Sequence, residues 1–590
     1  MAFVNNASLA LGGHDPRSTD LTEKQEEQIL APVDITRPTG DQPPFEAFLH
    51  YARIQRAAEL ADTRAGSEAE EQHWGGLVKR AFGGGKKVQA VPSDASDASA
   101  VGAQGEGEKG EKTYIGPDAE AISVDSGDIA YKALRVASWQ SVFYLITTDI
   151  LGPYSAPYSF AQVGYWPGCI VFFIFGCLAA FTGYLLMYMY GRLDSPQYPV
   201  RHFGDLADRI FGKWAKHVCN ILRSLQLIFN VGIIVLGNGQ GLSQIAKFHV
   251  CFTVCIVIWT VAGMIIGQVR TLQKFGWLAN VSVFMNIFVI LVTMGVVSHQ
   301  LPNYAASVHP IGPVITQARV VQPFEFQVTG ILQLVFSYGG AMIFIDFMAE
   351  MRKPMDFWKG MACAQLLITL VYMIFGVVVY SYQGQFVVNP ANQGISGYAW
   401  QTATNFISLT AGLIAAVLWG NIGVKVIYET VLMTFFRFPP LHTQRGRVAW
   451  TFSTIVYWAI AFVIGTSIPQ FSNISSLVSA ICTVQFTYSF PPLLALGYQV
   501  QADAAKGDRV WDPSQPTPFA HRVDSWRDWS RWQRGLWPML WLKVWYAVMC
   551  LASLATAGLG AYSAVAAIIA GFKTGSHASS FGCKSPVDVR

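Results

Sequence analysis

Apolar runs long enough to cross a membrane recur from Trp139 onward, with short polar stretches between them. The hydrocarbon core of a bilayer is about 30 Å thick, and about 20 helical residues span it. The pattern therefore predicts an all-α polytopic membrane protein with about eleven transmembrane helices. The predicted spans are residues 137–162, 167–190, 217–245, 249–268, 277–299, 329–351, 358–383, 402–435, 448–468, 471–497 and 540–572.

Polar positions dominate the first 130 residues. Residues 44–80 can hold one amphipathic helix, whereas residues 91–112 bury too little apolar surface to offset chain entropy and are predicted to be disordered. The spans and the polar segments divide the chain into five parts. These are a cytoplasmic N-terminal tail (1–130), a ten-helix core (131–500), a cytoplasmic Trp- and Arg-rich loop (501–539), an eleventh helix (540–572) and an extracytoplasmic C-terminal tail (573–590).

Composition supports the membrane interpretation. Of 590 residues, 52% are hydrophobic and 13% are charged, against roughly 25% charged residues in soluble domains. The net charge of +4 comes without a basic stripe, so nucleic acid is not an expected partner. The apolar runs contain no phosphate loop, His/Asp cluster or nucleophile–base set, so the chain is not expected to be an enzyme. The nine cysteines are interpreted as small buried hydrophobic residues rather than a disulfide framework or a metal site.

Lys and Arg residues fall mainly at one end of the predicted spans. If the N-terminus is cytoplasmic, the inner loops hold most of them, and the outer loops between spans hold only Lys247 and Arg319. Cytoplasmic loops carry such an excess in membrane proteins. We therefore expect the N-terminus inside and the C-terminal tail outside.

The first span contains a cluster of helix-breaking residues. Gly152, Pro153, Ser155 and Pro157 fall within six residues of one another. Proline removes a backbone donor and clashes with the preceding turn, and unpaired backbone at this depth is tolerated only around a protein-lined cavity. The cluster predicts an unwound stretch between two half-helices, with a simple proline kink as the alternative.

Gly339 and Gly340 predict a similar break in the sixth span, although glycine pairs also serve close helix packing. Breaks at corresponding positions of two halves are typical of an inverted-repeat transporter with a binding site at the midplane. The fold prediction is therefore a 5+5 inverted repeat with broken helices 1 and 6, plus one extra helix.

The chemistry of broken helices suits a zwitterionic solute. Free N–H groups at the start of a half-helix favour a carboxylate, and unwound carbonyl groups can accept hydrogen bonds from an ammonium group. The candidate substrate-binding residues are Gly152, Tyr154, Ser155, Ala156, Phe336, Ser337, Tyr338, Gly339 and Gly340. For the aromatic residues, ordinary packing is an equal alternative.

Charged residues inside spans are costly and indicate function by default. Asp149 lies in the first span, Asp346 in the sixth, and Lys425 and Glu429 share one face of the eighth. These four residues are the candidates for proton coupling or gating, with structural ion pairs as the alternative. A lysine ammonium group could stand where a metal cation would otherwise sit and could take up and release a proton.

At these residues the chain resembles the amino acid/auxin permease family, in particular its fungal neutral amino acid permeases. The likeness lies in PYSFAQVGYWPG (Pro157–Gly168), in FSYGGAMIFIDFMAEMRKP (Phe336–Pro354) and in the spacing of spans over residues 131–500. The chain departs from the family pattern at Ile150, which replaces a glycine, and at Ile345 and Asp346, which stand for Pro and Glu. The resemblance implies a leucine-transporter-like fold in which the first and eighth spans flank a cation position, so Asp149 and Lys425 are expected to pair there in place of sodium.

The resemblance also implies amino acid uptake, commonly by proton symport. We expect a plasma-membrane importer of neutral aliphatic and aromatic amino acids that works by alternating access. It would have no bound cofactor, a proton as coupling ion, the lipid bilayer as its environment and cytoplasmic regulators as candidate partners of the tail. A sodium-coupled or vacuolar transporter and a non-transporting amino acid sensor are the alternatives.

Overall fold

A computed structural model gives the fold of most of the chain. The structure describes residues 43–61, 135, 137–150, 154–269, 276–307, 309–433, 436–439, 443–511, 519, 521–573 and 579–588, with the backbone alone at 148–150, 276–280 and 429–430. These residues form helices joined by turns and loops, and they contain no β-strand. The predictions for Gly152 and for residues 91–112 lie outside the described residues.

Each predicted span overlaps a helix or a pair of helices. In chain order the spans are Trp139–Ile150 with Ala156–Val163, Tyr165–Leu193, Lys213–Ile245, Phe252–Ile266, Gly276–Val297, Phe324–Phe336 with Phe344–Glu350, Phe357–Gln383, Tyr398–Ile427, Gln444–Ser467, Phe471–Val478 with Phe490–Ala505, and Leu540–Lys573. The two helices of the tenth span are joined by π-helical turns, so that this span is continuous. Among the described residues, three α-helices lie outside the spans: 45–61, Phe203–Phe211 and Trp529–Leu536. Among the described residues, 8 helical segments are long and apolar enough to cross a membrane, and two shorter helices are also apolar. The all-α polytopic prediction is confirmed.

The first and sixth spans are the two broken ones, as predicted, and they run in opposite directions. At one end, the Ala137 N–H donates to the Glu350 carbonyl (3.0 Å), and the Arg352 N–H donates to the Ala137 carbonyl (2.9 Å). At the other end, the Val320 N–H donates to the Val163 carbonyl (3.1 Å). The chain therefore enters its two sets of five spans from opposite sides, as an inverted repeat requires. We call the end where the first span begins the N-terminal face and the other end the opposite face.

The spans pack into two groups. The third span packs against the fourth, eighth and ninth around a core that includes Leu236, Ile256, Val424 and Trp458. The two halves of the first span and the second span pack against the seventh, and the eleventh packs against the sixth and tenth. Their shared core is the larger one, and it includes Phe160. The candidate site lies where the two groups meet.

The C-terminal tail is fixed to the opposite face by a disulfide between Cys251 and Cys583, which are 332 residues apart in the sequence. The interpretation of all nine cysteines as buried hydrophobic residues was wrong for these two, and also for Cys177 and Cys363, whose side chains are exposed. The tail folds back over the start of the fourth span, where the Phe252 N–H donates to the Cys583 carbonyl (3.0 Å). Spacing along the chain could not reveal a pair that only this return brings together. The other cysteines are free thiols.

Candidate functional site

The break in the first span leaves part of its backbone non-helical at the centre of the molecule. The helix that ends at Ile150 and the helix that begins at Ala156 are separated, and Tyr154 and Ser155 are not helical. Pro157 occupies the first turn of the second half-helix, where a missing N–H costs nothing because that group has no intrahelical partner. Pro157 is therefore well placed to start the second half-helix.

The sixth span breaks at the predicted glycine pair. Its first helix ends at Phe336, residues 337–340 form turns, and the second helix begins at Phe344. Gly339 is required by space, since a Cβ atom there would lie 2.9 Å from Thr483 Cγ2 and 3.0 Å from the Phe336 carbonyl oxygen. The glycine thus brings the broken backbone against the tenth span.

A cavity of about 160 Å³ lies beside both breaks. The predicted residues Tyr154, Phe336 and Gly339 line it. The third, fifth, eighth and tenth spans and the segment before the eighth span supply the rest of the wall. Those residues are Gln226, Asn230, Ile233, Ile234, Gly237, Asn238, Gly241, Asn286, Pro390, Asn392, Gln393, Asn405, Ser408, Leu409, Ala411, Gly412, Ala415, Trp419, Phe471 and Thr483. No lining residue among those described is an Asp, Glu, Lys, Arg or His.

Carboxamide groups provide most of the polarity of the cavity. The Tyr154 hydroxyl donates to Asn286 Oδ1 (2.7 Å) and joins the first break to the fifth span. Among the residues that line the cavity, four amide oxygens are buried without a hydrogen-bond donor in the described part of the protein: Gln226 Oε1, Asn230 Oδ1, Asn392 Oδ1 and Gln393 Oε1. A buried acceptor without a donor costs about 1–3 kcal/mol. These oxygens are therefore suited to the N–H groups of a bound solute.

The sequence analysis missed these amides because, away from the two breaks, it treated only the charged residues inside the spans as functional candidates. Gln226 and Asn230 lie four positions apart in the third span, and so on one face of a helix. Polar side chains at membrane depth are functional candidates even without a charge. The spacing of Gln226 and Asn230 could therefore have identified the polar face of the third span from the sequence. Asn286, Asn392 and Asn405 are brought to the same cavity by tertiary packing, which the sequence pattern does not show.

The segment before the eighth span covers the cavity toward the opposite face. Its Ala391 N–H donates to the Tyr154 carbonyl (3.1 Å), and Asn392 Nδ2 donates to Asn405 Oδ1 (3.1 Å). Gln244 Nε2 of the third span donates to the Gln393 carbonyl (3.0 Å). This segment is therefore hydrogen-bonded to both groups of spans.

The other predicted binding residues of the described region do not line the cavity. Ser155, Ala156, Ser337 and Gly340 are buried at the two breaks. The Tyr338 side chain points toward the second and seventh spans, where its hydroxyl donates to the Phe172 carbonyl and to Thr369 Oγ1, both at 3.1 Å.

Asp346 takes part in an ion cluster nearer the N-terminal face than the cavity. Its Oδ1 lies 2.7 Å from Arg223 Nη2 and 2.7 Å from His202 Nδ1. Arg223 belongs to the third span, three residues before Gln226, and only 2% of it is exposed. A side chain this buried does not snorkel to the surface, and the cluster instead joins the third span to the second half of the sixth.

The remaining charged candidates are only partly described. Lys425 is half-buried in the last turn of the eighth span and is not among the residues lining the cavity. The side chains of Asp149 and Glu429 lie outside the described residues. Within the described ranges, no three His, Cys, Asp or Glu side chains come together as metal ligands would.

Comparison with known proteins identifies the kind of protein that has these features. The model of a family described as transmembrane amino acid transporter protein matches residues 135–515. The N amino acid transport system protein of Neurospora crassa is 25% identical over 374 residues, which cover 60% of this chain and 74% of that protein. A transmembrane transporter of Fusarium pseudograminearum is 22% identical over 374 residues, covering 61% of this chain and 75% of its own length.

Among solved structures, the nucleobase-cation-symport-1 family transporter MHP1 in a closed conformation is similar with a TM-score of 0.40 and 13% identity, covering 75% of this chain and 93% of its own. The family match includes both broken spans and every residue that lines the cavity. It also covers more than half of the chain and agrees with the resemblance in the two span motifs. The chain therefore belongs to the transmembrane amino acid transporter protein family.

Proposed function

We propose that this transporter imports neutral aliphatic and aromatic amino acids across the plasma membrane by proton symport with alternating access. The observation that carries the proposal is the cavity beside the two broken spans, whose described lining has amide and hydroxyl groups but no charged side chain. A zwitterion with a neutral side chain needs no counter-charge from the protein. A cationic or anionic side chain would be buried there without a partner, at a large cost in free energy.

The groups around the cavity suggest how the solute is held. In this proposal the backbone N–H groups at the start of the half-helix at Ala156, two residues after the lining residue Tyr154, donate to the carboxylate of the solute. The amide oxygens without donors, Gln226 Oε1 and Asn230 Oδ1 among them, accept from the ammonium group. Phe336, Trp419 and Phe471 give an apolar wall for the side chain of the solute.

Proton coupling is assigned to the charged residues of the first, sixth and eighth spans. In our proposal Asp149 and Lys425 pair and occupy the position of a sodium ion, with Glu429 one turn beyond Lys425. Asp346 gates the path to the N-terminal face through its contact with Arg223. The membrane potential supplies roughly 2.3 kcal/mol per charge per 100 mV for accumulation.

Two features support a cytoplasmic N-terminal face. Lys and Arg are concentrated in the loops on that face. The disulfide between Cys251 and Cys583 lies at the opposite face, and disulfides persist in oxidising compartments rather than in the cytosol. Import then carries the solute from the opposite face, which has the disulfide, to the N-terminal face.

Uptake of labelled amino acids in cells that lack their own carriers tests the proposal. We expect accumulation of neutral amino acids, competition by other neutral amino acids, and loss of uptake with an uncoupler or at high external pH. Uptake that ignores pH but requires sodium contradicts proton coupling, and a tagged chain found in the vacuolar membrane contradicts the plasma-membrane location. Binding without uptake identifies a sensor.

A further inference from the structure

A second cavity, separate from the transport site, lies between the tail helix (residues 45–61) and the membrane spans. Its volume is about 450 Å³. The wall on the tail-helix side is the stripe Leu49, Ala52, Arg53, Arg56, Ala57 and Leu60, and the other wall is formed by the last turns of the second and tenth spans. We call it the basic pocket because Arg53, Arg56, Arg192 and Lys506 line it and no described Asp or Glu does.

The position of the arginines on the tail helix is unusual. Residues spaced three and four apart share one helix face, and the face that meets the protein is normally apolar. In this stripe, two of the six positions are arginine. Like charges around one cavity repel one another, so an anion bound in the cavity lowers their electrostatic free energy.

The charges of the pocket are only partly compensated by the protein. Arg56 is paired with Glu59 (2.6 Å) and with Asp194 (3.3 Å). Lys506 is paired with Asp503 (2.7 Å). Arg53 and Arg192 form no ion pair with any described residue, and Arg56 Nε is a buried donor without an acceptor among them. An occupant with at least one negative charge and oxygen acceptors is therefore complementary to the pocket.

The surroundings point to a lipid rather than a soluble anion. The pocket lies level with the last turn of the second span, and apolar side chains around it are exposed, including Ile54 (47%) and Leu60 (62%) on the tail helix and Tyr184 (48%) on the second span. An amphipathic helix with basic residues that lies along the membrane surface binds anionic lipids. The leaflet in question is the cytoplasmic one in the orientation proposed above.

We propose that the basic pocket binds the phosphate headgroup of an anionic phospholipid, with an acyl chain along Leu49, Leu60 and the outer side of the second span. The bound lipid joins the tail helix to the second and tenth spans. The ligand is thus a component of the membrane, and its site is distinct from that of the transported solute.

Native mass spectrometry of the full chain tests the site. The protein is purified from nanodiscs of phosphatidylcholine with phosphatidylglycerol, and retained lipid is counted for wild type, for Arg53→Gln/Arg192→Gln and for the matched control Arg352→Gln/Lys353→Gln. The control removes two exposed charges on the same face outside the pocket. We expect the wild type and the control to retain phosphatidylglycerol, and the pocket variant to bind it roughly 10-fold or more weakly.

Three outcomes would overturn the proposal. They are equal retention by the pocket variant and the control, retention of phosphatidylcholine as strongly as phosphatidylglycerol, and displacement of the lipid by millimolar inorganic phosphate, which identifies a soluble anion as the ligand. Equal melting temperatures of the two variants establish that the pocket variant is folded. Lipid retention needs no transport, so failure of the proposed amino acid uptake leaves this result interpretable.

Discussion

At the scale of single residues, Gly339 shows how one missing side chain shapes the cavity beside the two breaks. A Cβ atom there would press on Thr483 Cγ2 at 2.9 Å, and both residues line the cavity. We expect Gly339→Ala to raise the KM for uptake about fivefold or more, because overpacking costs about 1–3 kcal/mol. The matched control is Gly295→Ala in the fifth span, where nothing lies within 4 Å. Unchanged kinetics in Gly339→Ala would contradict the assignment of this cavity to the substrate.

Asp346 tests whether the cluster of Asp346, Arg223 and His202 supports the fold. Asp346→Asn leaves Arg223, which is 2% exposed, without its carboxylate partner (2.7 Å). Breaking a buried pair costs about 3–5 kcal/mol, and we expect the lower end because 21% of the Asp346 side chain is exposed. The melting temperature should fall by about 2–4 °C. Asp346→Glu should restore it in part, and Asp356→Asn, at a more exposed pair, should leave it unchanged.

Lys425 tests the proton proposal through two substitutions. Lys425→Ala removes the positive charge of the eighth span, and we expect concentrative uptake to be lost. Lys425→Arg keeps a charge that is not released near neutral pH, so binding of the solute should persist while coupling to pH is lost. The readouts are accumulation ratio and pH dependence of uptake, with Lys359→Ala as an exposed control. Accumulation at the wild-type level in Lys425→Ala would make this lysine a structural residue.

The residue scale also shows what the sequence could reveal. Pro157 and Gly339 act on the backbone locally, so the breaks beside them were predictable from the local sequence alone. Asn286 and Asn405 line the cavity because the rotation of their helices turns them inward. That rotation cannot be predicted from the local sequence. Three predicted residues, Tyr154, Phe336 and Gly339, line the cavity.

At the scale of elements, Glu46 is one of the residues that hold the tail helix on the N-terminal face, and it lies among several cations. Glu46 is 7% exposed and bonds to Arg522 at 2.8 Å and Arg531 at 3.1 Å. Its neighbours Phe45 and Phe48 pack against Tyr498 and Tyr198. The sequence predicted a possible amphipathic helix here, but the partners lie hundreds of residues away and were not predictable.

The electrostatics of Glu46 predict how docking of this helix depends on pH. Burial by itself raises the pKa of the Glu46 carboxyl, but the hydrogen bond and the charge of Arg522 outweigh it, and the net pKa is lowered. A lowered pKa means that the interaction stabilises docking above the ordinary Glu pKa of about 4.3 and is lost as pH falls below it. The protection factors of the amides of residues 45–61, in which the intrinsic pH dependence of exchange is divided out, should therefore stay high from pH 5 to 7 and fall below about pH 4.

Glu46→Gln removes the same charge at neutral pH. We expect the helix amides to exchange about tenfold faster than in wild type, since Arg522 and Arg531 lose their charged partner. Glu325→Gln, near the opposite face, serves as the control with the same chemical change. Exchange in Glu46→Gln that matches wild type would show that aromatic packing alone holds the helix.

At the scale of the whole molecule, the order of the spans was predictable from the sequence, but the attachment of the C-terminal tail to the fourth span was not. Eleven apolar runs with breaks in the first and sixth follow from hydropathy and from Gly and Pro. The disulfide pairs residues 332 positions apart, and it joins the tail behind the eleventh span to the fourth. Such long-range pairings depend on the complete packing of the spans, which periodicity does not encode.

This disulfide gives a direct test of the orientation of the molecule. If the opposite face is extracellular, a membrane-impermeant maleimide added to intact cells should label Cys251 and Cys583 only after mild reduction, because both thiols are bonded to each other. The increase on reduction should vanish in the Cys251→Ser/Cys583→Ser variant, which leaves the free cysteines unchanged and so controls for them. Labelling that requires permeabilised cells would place this face inside and reverse the proposed direction of import. An increase that persists in the double variant would show that another cysteine had reacted.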